Sequence, residues 1–61
     1  MSDRFLRRRA VEEETGLSRS SIYRMMLEGE FPRPIRIGKQ SVAWRQSVIE
    51  QWKSSRPVAG E

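Results

Sequence analysis

The sequence predicts a mostly helical domain with one small β-hairpin, in the order helix, helix, hairpin, helix. Three observations predict it. Gly16 and Ser18 punctuate two short amphipathic segments. Ile35-Arg36-Ile37 and Val42-Ala43-Trp44 alternate like half-buried strands around Gly38-Lys39-Gln40-Ser41. Ser47-Val48-Ile49-Glu50 then has the S-x-x-E spacing that opens a helix.

The first helix is expected to start near Arg8, to turn Ala10 and Val11 inward, and to close at Gly16 as its C′ residue. Its charge order is unusual. Arg7, Arg8 and Arg9 stand at its N-terminal end and Glu12, Glu13 and Glu14 at its C-terminal end, so both groups oppose the helix dipole. Arg8–Glu12 and Arg9–Glu13 pairs at i,i+4 recover only about 0.2–0.5 kcal/mol each. The arginines therefore serve something other than helix stability, or simply solubility.

Ser18 is a good N-cap for a second helix over Arg19 to Glu28, ended by Gly29. Ile22, Met25 and Met26 form its i, i+3, i+4 stripe and so its buried face. Ser20, Arg24 and Leu27 lie roughly opposite, with Arg19, Ser21 and Tyr23 on the flanks. The exposed face of the first two turns is thus polar and cationic, with no acid before Glu28.

Phe31-Pro32-Arg33-Pro34 is extended, because each proline disfavours helix in the residue before it. In the hairpin that follows, pairing Ile37 with Val42 sets Ile35 opposite Trp44 and brings all four apolar side chains to one face. A shift of one residue would set Ser41 opposite Ile37 and send half the apolar set to solvent. The third helix carries a Val48, Ile49, Trp52 stripe and is stopped by Pro57. Phe5-Leu6 reads as a short extended piece. Residues 1–57 make one domain, and 58–61 are a frayed tail.

Composition bounds the function. A chain of 61 residues, 36% hydrophobic and 33% charged, has one thin core and no room for a deep substrate pocket. Cysteine and histidine are absent, which removes the thiolate nucleophile, the usual general base and the common metal ligands. The expectation is an intracellular, non-enzymatic module with no cofactor and no metal. No apolar run is long enough for a membrane. The formal net charge is +4, and all of it falls within residues 19–45. Residues 1–18 and 46–61 are each balanced. That distribution points to a polyanion.

Two short helices joined by Thr15-Gly16-Leu17-Ser18 form a helix-turn-helix pattern, and the hairpin behind them makes it a winged one. A helix fits the major groove of double-stranded DNA, with its first turns nearest the base edges. Ser20, Ser21 and Arg24 are the donors placed for bases; Arg19 and Tyr23, nearer the flank, suit phosphates. Lys39 and Gln40 form the tip of the wing, with Lys39 on a phosphate. Arg36 adds a phosphate contact. Arg45 does the same or pairs with Glu50 or a helix C-terminus, and Arg33 is a solvated loop residue. Trp44 and Trp52 sit on apolar stripes and belong to the core rather than to a base-stacking surface.

Four segments in this order carry a resemblance: FLRRR at 5–9, VEEETGLSRSSIYR at 11–24, GEFPRPIRIG at 29–38 and WRQSVIEQW at 44–52. Together they resemble the AlpA family of prophage regulators, compact relatives of the MerR-like winged helix and of phage excisionases. The resemblance spans residues 5 to about 55. It implies a DNA-binding transcription regulator encoded on a phage or mobile element, often acting on integrase or excision genes. It carries the reader role to Arg19, Ser20, Ser21, Tyr23 and Arg24, and the wing role to Lys39 and Gln40. Glu12 departs from the family pattern, where a small residue packs between the two helices. If it points inward it must open the helix pair or find an arginine.

The same surface would serve an excisionase that bends DNA for an integrase. A more distant alternative is a protein-interaction adaptor anchored on Tyr23 and Leu27. No extra heptad-bearing helix is present for dimerisation, so specificity would come from other protomers meeting cooperatively on DNA.

Overall fold

The computed structural model describes residues 3–60. It contains β1 (Phe5–Leu6), α1 (Arg8–Thr15), α2 (Arg19–Leu27), β2 (Ile35–Arg36), β3 (Val42–Arg45) and α3 (Gln46–Ser54). The winged helix-turn-helix order is the one expected from the sequence. Met1, Ser2 and Glu61, at the ends of the expected domain and tail, lie outside the described residues.

Both helices of the pair end as local signals dictate. Gly16 takes φ +75° and returns its N–H to the Glu12 carbonyl, a left-handed turn that a side chain would strain. Ser18 caps α2, its Oγ accepting the Ser21 N–H at 3.2 Å. Val11 and Ile22 are fully buried; Met25 and Met26 are packed against the core. Glu12 reaches Arg8, whose Nε donates to its Oε2 at 3.0 Å, so the departure from the small-residue pattern is met by an arginine from the same helix.

The sheet is three-stranded and antiparallel, ordered β1-β3-β2. Phe5-Leu6 is therefore a full member of it, with Leu6 opposite Trp44. The hairpin register differs from expectation by one residue. Ile35 pairs with Ala43 and Arg36 with Val42, and the Ile37 N–H donates to the Ser41 carbonyl at 2.9 Å. Ile35, Ile37 and Val42 are left 37, 40 and 43% exposed. The reason lies in the preceding loop. Phe31, only 4% exposed, fills the place beside Trp44 that Ile35 was expected to take, edge-on with ring centroids 6.3 Å apart. A buried phenyl removes more apolar area from water than the isoleucine it displaces.

The start of α3 is also corrected. Ser47 lies inside the helix, whose N-cap is Arg45 and has no side-chain cap bond. The expected box with Glu50 does not form. Instead Asp3 accepts the Ser47 N–H at 2.9 Å and the Ser47 hydroxyl at 2.7 Å. A carboxylate at that end also suits the helix dipole. Lys53 ties the other end of α3 to α1, its Nζ 2.9 Å from Glu14 and 3.6 Å from Glu50. Leu6, Val11, Ile22, Phe31, Trp44 and Ile49 are the core that all these links enclose.

Candidate nucleic-acid interface

The second helix is held by its apolar stripe and leaves its outer side bare. Arg19, Ser20, Tyr23 and Arg24 are exposed, and Ser21 is half-buried. Ser18, Ser20 and Ser21 share hydroxyl contacts, with Ser18 donating to Ser21 at 3.0 Å and lying 3.4 Å from Ser20. Ser21 is therefore partly committed to the cap, whereas Ser20 remains accessible at the helix start. The Arg19 guanidinium lies over the Tyr23 ring, 5.8 Å from its centroid, an attraction that biases two flexible groups toward one place. Arg24 is exposed and forms no ion pair among the described residues.

Lys39 and Gln40 stand exposed at the tip of the hairpin, and Arg36 is exposed on β2. Arg45 lies at the opposite end of β3 from that tip. It has an acidic neighbour, but this is Asp3, 4.0 Å away, and not the Glu50 offered as one alternative; its guanidinium stacks over Phe5 at 5.7 Å. The structure thus brings Tyr23 and the wing together and sets Arg45 apart from them. Arg33 is an exposed loop residue, as expected. Trp44 is buried in the core and Trp52, half-buried, packs against it; their indole N–H groups donate to the carbonyls of Pro32 and Glu30 at 2.8 and 2.9 Å.

Between the start of α1, α2 and the hairpin lies a cleft of about 320 Å³, lined by Arg7, Arg8, Arg9, Tyr23, Gln40 and Val42. Three of these residues, the arginines at the start of α1, were not among the expected contacts. Their one signal in the sequence was the charge order that opposes the helix dipole. Among the titrating groups near the sheet, Asp3 is held below the ordinary aspartate value of 3.8. The hydroxyl and then the backbone N–H of Ser47 are the main causes, and Arg45 adds to them.

A family model described as Prophage CP4-57 regulatory protein (AlpA) matches residues 4–57. An uncharacterized protein, ORF88, of Enterobacteria phage P4 is 43% identical over 58 residues, which cover 95% of this chain and 65% of that protein. The chain therefore spans less than two thirds of that relative. The DNA-binding transcriptional activator AlpA of Escherichia coli (strain K12) is 34% identical over 59 residues, 87% of this chain and 84% of that one.

Proposed function

Because the chain belongs to the AlpA family of prophage regulatory proteins, we propose that it is a sequence-specific double-stranded DNA-binding transcription regulator of a phage or mobile element. It acts without catalysis, in the bacterial cytoplasm where the nucleoid lies. In this reading α2 enters the major groove and the 35–44 hairpin rests on the flanking backbone as a wing.

The observation that carries the reading is the outer face of α2. It presents Arg19, Ser20, Tyr23 and Arg24 to solvent with no acid among them, and Tyr23 shares a cleft with Gln40 of the wing. Arg24, opposite the buried stripe, reads bases, and Ser20 assists it. Arg19, Tyr23, Arg36, Lys39 and Gln40 position the domain on phosphates. Arg45 is a peripheral contact, set at the far end of β3 from the wing tip and loosely paired with Asp3 at 4.0 Å. Ser21 serves mainly as part of the cap.

Neighbouring protomers on adjacent sites supply the discrimination that one small domain lacks. An excisionase acting beside an integrase would use the same face, and would differ by bending the duplex.

Footprinting of the DNA around its gene with the purified protein tests the reading. A protected site bound well above random duplex is the expected result. Equal affinity for all duplexes, with no protected site, overturns it. Circular-permutation gel shifts on that site separate a regulator from an architectural bending factor.

A further inference from the structure

The three arginines that open α1 are unexplained by helix stability and are not part of the reading face of α2. Arg7 and Arg9 are exposed and form no ion pair among the described residues, while Arg8 is held by Glu12 at 3.0 Å. The first turn of α1 contains no acid, and no side chain caps it. Its free backbone N–H groups therefore point the same way in charge as the arginines around them.

These groups line one cleft. Tyr23 of α2 also lines it, and so do Gln40 of the wing tip and Val42 of β3. The hairpin register matters here: it leaves Val42 exposed and sets Arg36 directly opposite it, on the same side of the sheet. The cleft thus combines three cations, one apolar side chain and two neutral hydrogen-bonding groups. A charged ligand with an apolar segment between charges fits that description.

We propose that this cleft seats the phosphodiester backbone of a single DNA strand, the ridge that separates the groove read by α2 from the groove under the wing. The inference rests on the DNA-binding reading above and adds its anchoring site. In B-DNA the two grooves are separated by one sugar-phosphate strand. A domain with a helix in one groove and a hairpin at the other must straddle that strand. What lies between helix and hairpin in this protein is the arginine cleft. Arg7 and Arg9 each neutralise a phosphate, Tyr23 and Gln40 donate hydrogen bonds to phosphate oxygens, and Val42 packs against a deoxyribose. Glu12 competes with the DNA for Arg8 and so limits its share.

The test is a salt titration of duplex binding, with the native site and with random duplex, by fluorescence anisotropy. For Arg7→Gln/Arg9→Gln the slope of log affinity against log salt should fall by about two, since each phosphate contact contributes about 0.9. Raising salt from about 50 to about 200 mM should then weaken the variant roughly tenfold less than the parent. Both duplexes should be affected alike. Glu12→Gln should act in the opposite direction, tightening both and steepening the slope by releasing Arg8. Ethylation interference should lose its signal in the double variant at phosphates between the two grooves. An unchanged slope in a folded double variant that still binds its site would overturn the cleft and leave the reading of α2 intact. Failure of the parent protein to bind any duplex would overturn both.

Discussion

The ring of Phe31 stands edge-on to that of Trp52, with centroids 4.7 Å apart and planes at 64°. Phe31 makes a second edge contact with Trp44, and the two indoles hold the carbonyls of Glu30 and Pro32 on either side of it. The loop between α2 and the hairpin is therefore a structural pillar. Phe31→Ala should cost about 3–5 kcal/mol, and Trp52→Ala a comparable amount. That is a large part of what a small domain has. Thermal unfolding followed by circular dichroism measures it. Cooperative melting of Phe31→Ala close to the parent temperature would mean the pillar carries no weight.

Stability should respond to pH at both ends of α3. The folded state lowers the Asp3 pKa, so its contribution is present above the ordinary aspartate value of 3.8 and lost as pH falls through the lower folded value. Lys53 is shifted upward, chiefly by its hydrogen bond to Glu14. Its contribution is present below 10.5 and lost as pH rises through the higher folded value. Denaturant melts of Asp3→Asn against the parent, from pH 6 down into the acid range, should converge as the parent loses its advantage. A constant difference across that range would show that the carboxylate charge is irrelevant to the cap.

Base reading and backbone contact should separate by mutation. Arg24→Ala should lower affinity for the native site by about 1–3 kcal/mol and leave random duplex nearly untouched. Lys39→Ala should weaken both and reduce the salt slope by about one. Titrations on the two duplexes decide it. The reverse pattern would exchange the roles of helix and wing.

Binding should depend on the spacing of sites. Few base-reading side chains, at about 1–3 kcal/mol each, leave one protomer little power to reject wrong sequences. Two sites about one helical turn apart should bind cooperatively, and a further half turn should abolish the effect. Footprint titrations over a series of spacers measure this. Tight binding to an isolated site, indifferent to spacing, would identify a self-sufficient monomeric reader.

What could be read from the sequence follows from how far each signal reaches. Gly16, Ser18 and the Ile22, Met25, Met26 stripe act over one or two helical turns, and the helix pair is legible from them alone. The exposed polar and cationic face of α2 comes from the same periodicity. The hairpin register was not legible, because pattern matching within residues 35–44 leaves out Phe31, which claims the space beside Trp44. The S-x-x-E spacing misled for a similar reason: the carboxylate that meets Ser47 belongs to Asp3, not Glu50. The arginine cleft is built by three elements, and only the odd charge order of α1 hinted at it.

The bond from Ser47 to Asp3 spans 44 positions of the sequence, and it sets the order in which the protein can become itself during synthesis. The N-terminal residues leave the ribosome first, yet β1 has no strand to pair with and Asp3 no helix to cap until β3 and α3 follow. The helices made in between are 8 and 9 residues long, too short to persist alone in water, where roughly 12–15 residues are needed for even marginal helicity. Until β3 and α3 are made, α1 and α2 lack the core that would hold them helical. Packing of α1 and α2 therefore awaits β3 and α3, so a chain cut before Val42 should show no persistent helix pair.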